Sequence, residues 1–175
     1  MRQFDIALSF ATENQLLVED VYEYLKAEGL YVFFAPSPEG QALISGKNQR
    51  QIFYQIFGLE AKYVALFVSK DYINKKIPME EARISLKKRA GNNTVIPIYL
   101  DHAKLPVELF DPKRNNYYSA NNAIDIAVHL AARCKSSVHP SPASTESQPV
   151  GEMRVSGNLA NKQIIVNTNH GVLNL

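Results

Sequence analysis

The chain has no tryptophan and only one cysteine, Cys134, among its 175 residues. A lone cysteine excludes an intrachain disulfide framework and a four-cysteine zinc site. Neither sign of charge is in excess: 19 Lys and Arg oppose 17 Asp and Glu, for a net charge of +2. Nucleic-acid binders normally carry a much stronger basic footprint, so no nucleic-acid partner is expected. No apolar run approaches the roughly 18 residues that would span a bilayer, so no membrane partner is expected. The opening MRQFDIALSF passes straight into a strand-like pattern, without the apolar stretch and small-residue cleavage site of a signal peptide. A cytoplasmic location is the expectation. Apolar mass, by contrast, is plentiful. The chain is 46% hydrophobic, with nine Tyr and eight Phe, which is enough for a sizeable core and excludes wholesale disorder.

Composition breaks once, sharply. Every Tyr and Phe lies within residues 1–135, which are taken as one domain. Residues 136–150, SSVHPSPASTESQPV, are Ser/Pro-rich with a single charge and are expected to form a linker. Residues 151–175 are rich in Asn, Gly and β-branched side chains and are treated as a separate β-prone element.

Within the first part, strand and helix patterns alternate. Strands are expected at 4–10, 30–34, 62–68 and 94–100, with a short one near 117. Tyr63–Val68 is continuously apolar, as strands covered on both faces are. Pro97 inside TVIPIYL suggests an exposed edge or a bulge. Helices are expected at Gln15–Glu28, ended by Gly29, and at Asn48–Leu59, Met79–Arg89 and Ala123–Cys134. The segment 35–47, with two Pro and two Gly, is expected to be a long irregular loop. Five strands separated by helices predict a doubly wound α/β fold with a parallel sheet. Ligands of such sheets bind beyond the strand carboxyl ends, which directs attention to the loops Ala11–Asn14, Ala35–Lys47 and Ser69–Met79.

Phosphate-loop chemistry is disfavoured: no GxGxxG or GxxxxGK[ST] occurs, and Gly46-Lys47 lacks the required spacing. The four histidines, at 102, 129, 139 and 170, are scattered, so no metal site is expected. Ser9 and Ser69 end the first and third strands. A nucleophilic role would need a base, and only His102 is available, so hydrogen bonding to loop backbone or helix capping is the simpler role. Glu80 and Glu81 are expected at a helix start, where unpaired N–H groups favour negative charge. They are either ordinary helix-start acids or include a carboxylate facing the cleft. Such a carboxylate could stabilise the oxocarbenium-like sugar of a breaking glycosidic bond.

Four stretches together resemble a Toll/interleukin-1 receptor (TIR) domain of the bacterial type. They are FDIALSFATEN (4–14), VYEYLKAEGLYVFF (21–34), YVALFVSKDYINKKIPMEEA (63–82) and VIPIYLD (95–101). After the third strand Ser69 is followed by Tyr72, by Ile77 where Trp is usual, and by Glu81 twelve residues beyond the Ser. The resemblance implies a flavodoxin-like five-stranded fold and cleavage of NAD⁺, as substrate rather than cofactor, at the nicotinamide–ribose bond. It implies Glu81 as the catalytic residue, with Ser9, Phe10, Ala11, Thr12, Phe34, Lys47, Ser69 and Ile77 as substrate-binding residues. It also implies self-association through the domain, with the 35–47 loop taking part. The expected function is an NAD⁺ hydrolase effector of a bacterial defence pathway, activated by self-assembly. The alternatives are an ADP-ribose cyclase that makes a messenger, and a non-catalytic adaptor, which Ile77 favours and Glu81 opposes.

The tail is similar to bacterial amyloid-signalling motifs. QIIVN and HGVLNL are short, β-prone and low in charge. This resemblance implies a sensor protein carrying a matching segment as a further partner.

Overall fold

The computed structural model describes residues 3–136. The expected linker beyond Ser136 and the tail at 151–175 lie outside the described residues. Strand β1 (Phe4–Ser9) leads through a 3₁₀ turn (Thr12–Asn14) into helix α1 (Gln15–Ala27) and then strand β2 (Val32–Phe33). Helix α2 (Pro38–Ile44) and helix α3 (Gln49–Phe53) follow, and α3 runs on as a π-helical segment, Tyr54–Glu60. Strand β3 (Ala61–Val68), helices α4 (Lys70–Asn74) and α5 (Lys76–Lys88), strands β4 (Val95–Tyr99) and β5 (Tyr118–Ser119), and helix α6 (Ala123–Ser136) complete the order.

The five strands form one parallel sheet in the order β2-β1-β3-β4-β5. This is the expected doubly wound, flavodoxin-like arrangement. Its winding reverses between β1 and β3, so the crevice at their carboxyl ends is the natural ligand position. Side chains of β3 alternate between the two layers. Val64, Leu66 and Val68 pack with Phe53, Phe57, Met79 and Ala82 on one face. Tyr63, Ala65 and Phe67 pack with α1 and α6 through Val18, Leu25, Ile126 and Leu130 on the other. Both faces are covered, which explains why β3 reads as an unbroken apolar run.

Several local expectations need correction. The segment 35–47 is not irregular throughout, because Pro38–Ile44 is helical. Ser37 caps this helix by accepting a bond from the Gly40 N–H at 3.0 Å, and Pro38 sits in its first turn, where no N–H is needed. The loop expected at Ser69–Met79 contains α4, capped by the Ser69 hydroxyl. Helix α5 begins at Lys76 rather than Met79, since Pro78 lies in the first turn and stops nothing. Pro97 lies within β4, which is not an edge strand. The Leu100 N–H donates to Val68 O, so the alternation turns the missing N–H of Pro97 away from β3. Strand β5 pairs only from Ile98 onward and does not need it. Gly29, at φ +79, ends α1 in the left-handed conformation that glycine adopts without a Cβ penalty.

Candidate active site

The carboxyl end of β1, the segment after β2, α3 with its π-helical continuation, and α5 build a cleft of about 350 Å³, within the range of small-molecule sites. Its walls are largely apolar, with Phe10, Ile44, Ile52, Phe53 and Ile77 among them, and Glu81 is its one acidic residue. Glu81 lies in the second turn of α5, not at the helix start, so the unpaired N–H groups of the first turn are not what holds it. Its partner comes from the sheet. The Ser9 hydroxyl, at the end of β1, donates to Glu81 Oε2 at 2.6 Å. Behind it, Ser9 Oγ and the Tyr72 hydroxyl on α4 are 2.7 Å apart. A serine hydroxyl has one proton; with that proton given to Glu81, Tyr72 donates to Ser9, making a directed chain Tyr72–Ser9–Glu81.

No hydrogen bond from the described residues reaches Glu81 Oε1, which leaves that oxygen for whatever enters the cleft. The side chain is only 8% exposed. Burial is the main cause that pushes its pKa up to about 8; the Ser9 bond acts downward and the neighbouring Glu80 charge upward. Tyr72 is held well above its ordinary value, first by burial and then by Glu81. Glu80 turns the other way and pairs with Arg50 at 3.1 Å.

The cleft gathers some of the expected residues and not others. Phe10, Thr12, Lys47, Ile77 and Glu81 line it. Ile77 is 46% exposed, at the mouth rather than the floor. Ala11 and Phe34 are buried beneath the lining, where Phe34 stacks on Phe10 with centroids 5.4 Å apart and on Tyr22 at 4.7 Å. Ser69 is buried; it caps α4 and donates to Asn14 Oδ1 at 2.7 Å. Ser9 therefore acts on Glu81, and Ser69 ties the loop after β1 to α4. Lys75 reinforces that tie by donating to Glu13 at 2.6 Å, which holds the Glu13 carboxyl below its ordinary value. Neither serine hydroxyl is directed at a histidine, and burial pushes the Cys134 thiol up to about 12, so no activated nucleophile results. Among the described residues, no group of three or more His, Cys, Asp or Glu could hold a metal ion.

Sequence reasoning placed the 35–47 segment at the cleft, where Ala35, Pro36 and Ile44 do line it, but it missed Tyr72 as a partner and Gln49, Ile52, Phe53 and Phe57 as cleft walls. Asn48, which caps α3 by accepting from the Gln51 N–H, marks the helix that carries those walls.

A family model described as a TIR domain matches residues 6–131. The chain belongs to the TIR-domain family. It is 36% identical over 107 residues, 59% of the chain, to the 3′ cyclic ADP-D-ribose synthase AaTIR of Aquimarina amphilecti. That match takes in 32% of the relative, so this TIR chain spans about a third of the length of the curated protein it resembles. Among solved structures, the crystal structure of the TIR domain of the Toll-related receptor TRR-2 from Hydra magnipapillata matches with a TM-score of 0.59. The match covers 78% of this chain and 98% of that one at 13% identity, a likeness of fold alone. Among the described residues, no helix of this TIR domain is long and apolar enough to cross a membrane.

Proposed function

We propose that this TIR domain cleaves the nicotinamide–ribosyl bond of NAD⁺, with Glu81 as the catalytic carboxylate. The observation that carries this reading is Glu81 itself, a nearly buried carboxyl held on one oxygen by Ser9, with the other oxygen free toward an apolar cleft. As the glycosidic bond breaks, its electron pair leaves with neutral nicotinamide and the anomeric carbon gains positive charge. An ionised carboxylate in a poorly solvated cleft stabilises that charge far more than water would. Free Glu81 holds its proton at neutral pH, but the cationic pyridinium of NAD⁺ favours the carboxylate when it binds beside it. Phe10 and Ile77 supply apolar surface for the nicotinamide, and Lys47, on the open rim, offers a charge to the pyrophosphate.

The cation is captured either by water or by a nucleophilic atom of the same ADP-ribosyl group, which closes a ring and releases a proton. Hydrolysis ranks first on sequence alone. The relationship to a 3′ cyclic ADP-D-ribose synthase and the apolar walls favour internal capture, so we place cyclisation ahead of hydrolysis. Because the rim from Ala35 to Lys47 is half-exposed, a neighbouring copy completing the cleft is part of the proposal. The test is chromatography of concentrated protein incubated with NAD⁺, with and without a crowding agent. Nicotinamide accompanied by a cyclic ADP-ribose isomer is the expected result. Linear ADP-ribose alone would restore hydrolysis to first place, and NAD⁺ left intact under both conditions would overturn the proposal.

A further inference from the structure

Helices α3 and α5 have a second side that the proposed chemistry does not use. There, Arg50 and Tyr54 face Lys76, Glu80, Arg83, Ile84, Lys87 and Lys88 across a cavity of about 790 Å³, larger than the cleft at Glu81. Five cationic side chains against one acid make this groove strongly positive, although the whole chain carries only +2. Arg50 is engaged with Glu80, and Lys88 sits over the Tyr54 ring at 4.6 Å from its centroid. Lys76, Arg83 and Lys87 have no ionic partner among the described residues.

The spacing of those charges argues against a merely solvated helix face. Residues 76, 80, 83 and 87 form a single stripe along α5, and Arg83 and Lys87 are like charges one turn apart. Such pairs repel and weaken a helix rather than support it. Two arginines and three lysines converging on one concavity suit an anion with several oxygens, because guanidinium groups grip phosphate in two-pronged fashion. The exposed part of the Tyr54 ring offers a flat surface beside the charges.

We infer that the groove between α3 and α5 is a second binding site, distinct from the Glu81 cleft, for a pyrophosphate-bearing anion. Arg83 and Lys87 grip the phosphates and Arg50 and Lys76 flank them. Inorganic pyrophosphate and a nucleoside diphosphate share this chemistry; only the latter uses the Tyr54 ring.

Calorimetric titration of the full chain with inorganic pyrophosphate, ADP and adenosine tests the assignment. Pyrophosphate and ADP are expected to bind and adenosine is not; ADP binding more tightly than pyrophosphate points to a nucleotide, and equal binding to the inorganic anion. R83Q/K87Q changes only exposed side chains and is expected to weaken pyrophosphate binding at least tenfold, whereas K113Q, an exposed lysine that lines neither the groove nor the cleft, leaves it unchanged. Pyrophosphate that fails to bind, that binds R83Q/K87Q as tightly as the wild type, or that is lost in K113Q overturns the proposal. The readout involves no NAD⁺ cleavage, so its failure is separate from failure of the proposed activity.

Discussion

The floor and the rim of the cleft are built differently. The floor, where β1, α4 and α5 meet, is buried, and Ser9, Tyr72 and Glu81 are joined by two hydrogen bonds of 2.6 and 2.7 Å. The rim, from Ala35 to Lys47, contains a short helix; Ser37 and Gly40 are buried, and the remaining residues are half-buried or exposed. Its ties are local: Gln41 reaches back to Ala35 O at 2.7 Å and Ser37 caps its own helix. The floor has the geometry to fix a charge, whereas the rim is held by these local bonds and by Ala35, Leu43 and Ile44 packed against the core. The chemistry is therefore expected to respond to floor substitutions through kcat and to rim substitutions through KM.

The largest effect is expected at Glu81. Glu81→Gln keeps the shape and removes the charge; the loss is about 3 kcal/mol of transition-state stabilisation, roughly a hundredfold in nicotinamide release. The same variant has a second signature. A carboxyl whose folded pKa, about 8, exceeds its ordinary 4.5 binds its proton more tightly when folded, so wild-type stability falls as pH rises through that window. Thermal unfolding from pH 4.5 to 8.5 should show this slope, and Glu81→Gln should flatten it.

Ser9→Ala comes next. It removes the bond that lowers the Glu81 pKa, so kcat should drop about tenfold and the acid limb of the rate profile should move to higher pH. Tyr72→Phe keeps the buried ring and loses only the remote hydroxyl, so its shift should be smaller and in the same direction. On the rim, Gly40→Ala would set a Cβ 2.2 Å from Phe34 O and 2.9 Å from Ala35 O, both backbone atoms. The rim must shift, with about 1–3 kcal/mol lost and KM raised several-fold while kcat changes little. A comparable fall in kcat would erase the distinction between floor and rim. The smallest change is expected from Ile77→Trp. At the half-open mouth a larger ring adds stacking surface, and KM should fall about threefold.

The floor was partly legible in the sequence and the rim was not. The strands β1 and β3 declare themselves by apolar runs, and the resemblance to TIR domains, rather than spacing alone, singles out Glu81. The partnership of Ser9 with Glu81 is invisible at a separation of 72 residues, because it exists only once β1 lies beside β3 and α5 packs on them. From the sequence alone Ser9 reads as a contact for substrate or loop backbone for that reason. On the rim, Pro38 and Gly40 suggested a loop, but Pro in a first helical turn and a capping Ser37 mark a helix start. The same oversight at Pro78 shifted the expected start of α5 and placed Glu81 a turn too close to the helix end.

The most direct test of the central claim, that a buried and proton-holding Glu81 acts as a carboxylate, is the pH dependence of kcat/KM for nicotinamide release. That ratio reports the free enzyme. It should rise with pH to an inflection near 8, where Glu81 ionises, while kcat reports the complex with the cationic substrate and should inflect at lower pH. An acid limb of kcat/KM near the ordinary carboxylate value of 4.5, or the same limb retained by Glu81→Gln, would contradict the account.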